Sequence, residues 1–181
     1  MRIGNVCLGL VVLLIPALAF ADSHRADVYS GASGGGGGSN LGGFIVALGL
    51  TEIQQREPRN VLFGGVGSAS VQFGSHEGRD LTQVVWSIGP RLTFEKDQNS
   101  KNVFHAQVTF GGVYTNDGQG QKNMATVVGA AYDRAFHTHE GKTPHPGLGL
   151  RLQADRVLIK GEERKDAWRF SAGFIYRIPR L

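Results

Sequence analysis

The chain has 181 residues, the length of one domain, and a formal net charge of +4. Acids and bases alternate along it without a basic block, so the charge does not indicate nucleic-acid binding. Its one cysteine, Cys7, lies in the N-terminal apolar segment, which excludes a disulfide framework or thiol redox motif from the rest of the chain. Beyond the run Gly34–Gly38, most of the 27 glycines are scattered through apolar segments, a composition that favours strands over helices.

The N-terminal segment has the three parts of a secretory signal peptide. Arg2 supplies the positive charge, Leu8–Leu14 is almost wholly apolar, and Ala19 and Ala21 are the small residues that signal peptidase reads. The apolar run is shorter than the ~20 residues that a transmembrane helix needs. We therefore expect cleavage after Ala21, which leaves residues 22–181 as the exported domain.

Alternation of apolar and polar residues with a period of two predicts about eight strands. In Thr82–Glu95, Trp86 and Ile88 belong to an oily face, whereas Ser87 and Arg91 belong to a polar one. In chain order the predicted strands are Ala26–Ser33, the weakest, then Leu41–Thr51, Val61–Phe73, Thr82–Glu95, Val103–Thr115, Met124–Phe136, Leu148–Asp155 and Trp168–Ile178. An even number places both termini at one end, as in single-chain bacterial barrels.

The segments between these strands are rich in Gly, Pro, Asn and charge, which predicts turns. They are Gln54–Asn60, Ser75–Asp80, Glu95–Asn102, Asn116–Asn123, Thr138–Gly147 and Gly161–Asp166. If the N-terminus is periplasmic, the cell-surface turns lie near Gly34–Asn40, Ser75–Asp80, Asn116–Asn123 and Gly161–Asp166. All are short, so we expect no large adhesin or receptor surface. The charged turn Gly161–Asp166 could contact lipopolysaccharide phosphates, although a solvated turn is the simpler interpretation.

Strand length and the volume of a barrel favour a membrane protein over a soluble barrel. Soluble strands centre near 5 to 6 residues, whereas the predicted strands approach the 9 to 11 residues that a tilted strand needs to cross a bilayer. An eight-stranded barrel is only just filled by side chains, so its interior cannot hold every aromatic and Leu side chain of the oily faces. We therefore predict an all-β fold, an eight-stranded antiparallel up-and-down transmembrane β-barrel with its oily faces in lipid.

Four stretches resemble strands four, five, seven and eight of the small OmpA/OmpX-type outer-membrane barrels, a group that includes porin-family proteins. These stretches are Trp86–Phe94, Phe104–Val113, Leu152–Asp155 and Trp168–Arg177. The resemblance implies a monomer in the outer membrane of a Gram-negative cell, with outer-membrane lipids, lipopolysaccharide and the outer-membrane assembly machinery as partners and no nucleic acid. Such barrels commonly end on an aromatic residue, whereas this chain ends Ile178-Pro179-Arg180-Leu181.

The polar faces predict a set of ionisable side chains that point into the barrel. The set is Arg91, Glu95, His105, Asp133, Arg151, Asp155, Arg169 and Arg177. They could be acid and base partners in an enzyme, but a network of ion pairs that neutralises a plugged lumen is the simpler interpretation. An open diffusion pore needs about 16 strands. We therefore predict a structural or envelope-interaction role, no enzyme activity, no catalytic residues and no cofactor.

A metal site and two other functions are to be weighed at this point. His137, His139 and His145, with Glu140, form the densest group of potential metal ligands, but their spacing matches no known site, so we assign no metal. A lipid A acyl hydrolase or transferase would need a Ser and a His with an acid, and only His137 and Glu140 lie close together in sequence. The other alternative is a soluble periplasmic lipocalin-like binding protein, in which the oily faces would point inward.

Overall fold

A computed structural model of the chain describes residues 24–36, 40–52, 60–76, 79–96, 100–116, 118, 120–136, 147–160 and 165–178. The predicted signal peptide, the cleavage site after Ala21, the histidines His137, His139 and His145, and residues 179–181 lie outside the described residues. In the part that is described, no helix is long and apolar enough to cross a membrane.

Eight strands follow one another along the chain. They are β1 His24–Gly36, β2 Asn40–Glu52, β3 Val61–His76, β4 Arg79–Phe94, β5 Asn102–Asn116, β6 Gln121–Ala135, β7 Gly147–Lys160 and β8 Lys165–Ile178. Each strand pairs antiparallel with the next, and β1 also pairs with β8, so the sheet closes into a barrel. The predicted fold class is confirmed.

The strands are 13 to 16 residues long and extend beyond most of the predicted limits. The turn predicted over Ser75–Asp80 is wrong in extent, because β3 continues through His76 and β4 begins at Arg79. The prediction that β7 ends at Asp155 is also wrong. Its pairing with β6 and β8 continues beyond Asp155, and Val157 there is buried at 2% exposed although it is apolar.

The register shows how far the strands are staggered. Following paired residues once around the barrel leads from Arg25 to Thr51, Gly64, Arg91, Gln107, Gly129, Asp155, Arg169 and finally Gly35. The path thus returns to β1 ten residues further along. A stagger of this kind requires strands that tilt against the barrel axis, and it brings residues that are distant in sequence to the same height in the lumen.

The barrel has two different ends. The terminus end holds His24 and Ile178, and the turn end holds Gly36 and Lys160. The connections at the turn end, residues 37–39, 77–78, 117–120 and 161–164, are shorter than those at the terminus end, residues 53–60, 95–101 and 136–146.

Polarity is inverted relative to a soluble protein. Along β5, buried and exposed residues alternate strictly from Val103 to Phe110, and the buried positions include His105 and Gln107 whereas Phe104 and Phe110 are each 56% exposed. The other strands follow the same rule, with Arg, Asp, Gln, Ser and Thr facing inward and most of the aromatic and Leu side chains facing outward. The barrel wall therefore presents an apolar surface to its surroundings.

Candidate functional site

The lumen at the terminus end contains ion pairs that cross the barrel. The carboxylate of Asp27 on β1 accepts hydrogen bonds from both terminal nitrogens of Arg91 on β4, with Nη1 at 3.0 Å from Oδ1. The same Oδ1 accepts a hydrogen bond from Nη2 of Arg151 on β7 at 3.1 Å. Asp27 is 3% exposed and the two arginines are 1% and 2% exposed, so these charges are paired out of reach of bulk water.

Asp133 on β6 is the second carboxylate of this group. It accepts hydrogen bonds from Nε of Arg151 at 2.6 Å and from Nη2 of Arg151 at 2.9 Å, and its Oδ2 lies 2.9 Å from Nε2 of His105. Nη2 of Arg177 lies 3.6 Å from the same oxygen. We call Asp27, Arg91, His105, Asp133 and Arg151 the central network. Each ion in it has at least two polar partners, as buried charges require.

Two further ion pairs lie above and below the central network. Arg25 donates to both carboxylate oxygens of Glu95 at 3.2 and 2.7 Å, near the terminus end. Arg169 donates from Nε and Nη2 to Asp155 at 3.0 and 2.7 Å, nearer the turn end. Among the described residues, the buried charges are five arginines and four carboxylates. The lumen is therefore close to electrically balanced, which supports the predicted ion-pair network.

Thr93, His105 and Asp133 form a hydrogen-bonded chain that has the order of a catalytic triad. Thr93 Oγ1 lies 3.0 Å from Nδ1 of His105, and Nε2 of His105 lies 2.9 Å from Asp133. However, these side chains are 0%, 4% and 0% exposed, and Arg151 Nη2 also lies 3.3 Å from His105 Nε2. A substrate has no route to a hydroxyl enclosed in this way, so the chain acts as part of the packing of the lumen.

Glycines at inward positions provide the space for these large side chains. A Cβ atom on Gly49 would clash with the guanidinium of Arg91, and one on Gly129 would clash with the carboxylate of Asp155. Tyr29 fills the lumen beside them, with the Arg151 guanidinium 5.3 Å from the centre of its ring. In the sequence, the glycines stood out only by their number. Gly49 and Gly129 are now seen to belong to the site, because they leave room for its charged side chains.

Every predicted inward residue is buried in the barrel, from Arg91 on β4 and Glu95 just after its end to Arg169 and Arg177 on β8. Sequence reasoning missed Arg25 and Asp27, because the first strand was its weakest prediction. The alternation of Arg25, Asp27 and Tyr29 with smaller apolar residues was the signal that could have placed them inward.

Part of the lumen at the turn end is apolar, which the sequence did not predict. Val85, Val113, Ala125, Val127 and Val157 pack together there, each 4% exposed or less, with Ile159 and Ala167 against them. We call these aliphatic side chains the apolar plug. Gln72 and Gln83 are also buried at this end, at 3% and 8% exposed, and add polar groups to the lining.

Histidine, aspartate and glutamate side chains do not gather into a metal site within the described ranges, where no three of them are grouped for that purpose. Each carboxylate of the central network instead has arginine partners. The cluster His137, His139 and His145 lies outside these ranges, so its metal binding stays untested.

The outer surface carries aromatic side chains toward both ends of the strands. Phe104 and Tyr132, on neighbouring strands near the terminus end, have ring centres 4.9 Å apart. Trp168 and Phe170 stack near the turn end with ring centres 6.1 Å apart. Paired aromatic bands of this kind are typical of transmembrane barrels.

Comparison with known proteins gives the same architecture. No protein-family model and no curated protein matches the chain. The alignment with the outer membrane enzyme PagL covers 84% of this chain and 99% of the PagL chain, with 14% sequence identity and a TM-score of 0.49. Neisserial surface protein A, from Neisseria, aligns with 88% of this chain and 98% of its own at 11% identity and a TM-score of 0.54. Ail, the attachment invasion locus protein of Yersinia pestis, aligns with 86% of this chain and 99% of its own at 12% identity and a TM-score of 0.52. The likenesses to Neisserial surface protein A and Ail show that the chain has the fold of small outer-membrane barrels.

Proposed function

We propose that the protein is an integral barrel of the Gram-negative outer membrane with a structural or envelope-interaction role and no open diffusion pore. The observation that carries this proposal is the inverted polarity of the barrel. Arg91, Arg151 and Arg169 are at most 2% exposed, whereas Phe44, Phe63 and Met124 are at least 60% exposed. Such a surface is favourable in lipid and unfavourable in water.

The height of the apolar surface suits a bilayer. On β8, outward apolar side chains extend from Trp168 to Ile178, ten positions apart. At ~3.3 Å per residue and a tilt of ~40°, this interval spans about 25 Å, the height of the lipid-facing band in barrels of this class. Closure of the sheet also pairs the backbone groups that lipid cannot hydrate.

The packing of the interior supports a lumen that is blocked to solutes. The central network fills the lumen at the terminus end, and the apolar plug fills it at the turn end. A solute would have to separate buried ion pairs and then displace packed valines. This arrangement supports an envelope role over transport by diffusion, and the short turns at one end leave little area for a large receptor surface.

The alternative of a lipid A-modifying enzyme requires a reactive side chain that lipid can approach. The only triad-like chain in the described residues, at Thr93, His105 and Asp133, is enclosed in the lumen. A direct test is the acyl number of lipid A in cells that express the protein and in cells that express His137→Ala. An acyl number that changes with expression and reverts in the variant would replace our proposal with the enzyme.

The first experiment for the proposed function is fractionation of expressing cells, followed by gel electrophoresis of the outer-membrane fraction with and without heating. We expect a membrane-bound protein that needs detergent and whose apparent mass shifts on heating, because a closed barrel resists unfolding in detergent. Recovery in the soluble periplasm with no shift would contradict the proposal and favour a lipocalin-like protein.

A further inference from the structure

The outer wall carries a shallow apolar groove that runs from β4 to β8 and onto β1, with a volume of about 810 Å³. Its floor is formed by Ala130, Ala154 and Ala172, and its walls include Phe104, Tyr132 and Phe170. These residues occupy outward positions, and Ala154 is the registered partner of both Ala130 and Phe170. The groove therefore faces the surroundings of the barrel, not the lumen.

The groove arises from the lengths of neighbouring side chains. An alanine projects one carbon from the wall, while the rings of Tyr132 and Phe170 project much further, so the alanines form a trough between them. The volume falls within the ~300 to 1,000 Å³ of pockets that bind small ligands. Since the lining is almost wholly apolar, shape is what it can recognise, and a lipid acyl chain is the apolar group that surrounds a membrane barrel.

Basic side chains lie beyond the groove, toward the turn end. Arg156 follows Ala154 by two residues on the outward face of β7, Lys160 follows on the same face, and Lys122 lies on β6 beside them. The side chain of Arg156 is 51% exposed, and its Nη2 donates to Asp166 at 2.7 Å. Asp166 holds the guanidinium at this edge and leaves its other nitrogens able to meet a second anion.

Among the described outward positions near the turn end, the cations lie on this side of the barrel; Arg79, at the start of β4, is exposed but stands on the inward phase of its strand. Near the turn end, the described outward positions of β3 to β5 are Phe73, Ser75, Asp80, Thr82, Tyr114 and Asn116, none of which is a cation. The groove and the cations thus coincide on β6 and β7. This coincidence indicates a ligand that has an acyl chain and an anionic headgroup on the same molecule.

We propose that Arg156 and Lys160 bind the phosphate of an acylated glycolipid of the outer leaflet, with one acyl chain in the groove between Tyr132 and Phe170. This inference rests on the proposed function, because the turn end lies in the outer leaflet only when the termini are periplasmic. Guanidinium and ammonium groups at a membrane surface complement phosphate oxygens. The alanine floor fixes the position of the chain below them.

Native mass spectrometry of the purified, heat-modifiable barrel in detergent tests the site. The probes are bisphosphorylated lipid A, the same lipid after dephosphorylation, and phosphatidylglycerol. We expect retention of the phosphorylated glycolipid at least about tenfold above the other two, a difference of about 1.4 kcal/mol. The double variant Arg156→Gln with Lys160→Gln should lose this preference, and Ala154→Trp should lower retention of all three lipids by filling the groove.

The controls repeat each change elsewhere on the outer surface. Arg134→Gln removes an exposed cation near the terminus end, and Ala69→Trp adds a ring on β3 across the barrel; both should retain lipid as the unchanged protein does. Equal retention of the three lipids, or equal loss in the controls, would overturn the inference. The lipid measurement uses the folded barrel in detergent, so it does not depend on the orientation of the barrel in a membrane. The fractionation experiment tests the proposed function separately, because recovery of a soluble periplasmic protein there would overturn that function itself.

Discussion

Asp27 links strands on opposite sides of the barrel through its two carboxylate oxygens. It pairs with Arg91 on β4 and with Arg151 on β7, and all three side chains are at most 4% exposed. Water cannot replace either partner at this depth. Loss of the carboxylate charge would leave Arg91 with the neutral hydroxyl of Thr51, whereas Arg151 would keep Asp133.

We therefore expect Asp27→Asn to lower the free energy of unfolding by about 3 to 5 kcal/mol, the usual cost of removing one partner from a buried ion pair. Urea unfolding of the barrel in lipid vesicles measures this change. Asp80→Asn is the matched control, because Asp80 is exposed at the turn end and its loss should cost less than about 1 kcal/mol. Equal unfolding free energies for the two variants would show that the central network does not hold the barrel together.

Gly49 belongs to the same network although it has no side chain. A Cβ atom there would overlap the Arg91 guanidinium, whereas a Cβ on Gly42 of the same strand has nothing within 4 Å. We expect Gly49→Ala to cost about 1 to 3 kcal/mol of unfolding free energy through overpacking, and Gly42→Ala to be close to neutral. The same urea titration measures the unfolding free energies of both variants. An unchanged value for Gly49→Ala would mean that the Arg91 side chain can adopt another conformation without loss of stability.

At the scale of an element, β7 shows how one strand serves two environments. Leu148, Leu150 and Leu152 face outward, while Arg151 and Asp155 between and beyond them face the ion pairs of the lumen. A shift of the register by one residue would exchange the two faces. The register of the strand is therefore fixed by the difference between its two surroundings, which are apolar outside the barrel and polar in the lumen.

Depth along β7 gives a test of the lipid-facing band. Leu152 lies well inside the strand and Leu148 is its second residue, yet their exposures are similar at 58% and 49%. In lipid vesicles we expect Leu152→Arg to cost about 2 to 4 kcal/mol and Leu148→Arg about 0 to 1 kcal/mol, since the cost of a cation falls toward the membrane surface. Unfolding free energies that fall equally would contradict a membrane band at this height.

At the scale of the whole molecule, closure depends on the first and last strands. β1 pairs with β8 from Ala26 and Ile178 to Gly36 and Trp168. Without β8, the backbone donors and acceptors on the free edges of β1 and β7 would face lipid, where each unsatisfied group costs several kcal/mol.

We expect a chain that ends at Lys160 to lose the mass shift on heating after refolding in detergent, because its sheet cannot close. A chain that lacks only residues 179–181 should keep the shift, since β8 ends at Ile178. Gel electrophoresis with and without heating compares the two. A shift retained by the shorter chain would mean that seven strands close without the eighth.

The sequence alone was enough to predict the fold class, the number of strands and the inward set from Arg91 to Arg177. These follow from the alternation of side chains along each strand, which is a local property of the backbone. The weak first strand hid Arg25 and Asp27, and the limits of β3, β4 and β7 were misplaced because polarity changes before the pairing ends.

Only the tertiary structure decided which charges meet and what closes each end of the lumen. Asp27 and Arg151 are separated by 124 residues in the chain, and their contact depends on the stagger of all eight strands. The apolar plug depends on the same geometry. The sequence does not distinguish a valine that faces the lumen from a valine that faces outward. Alternation assigns a side chain to a face, whereas register and closure determine its neighbours.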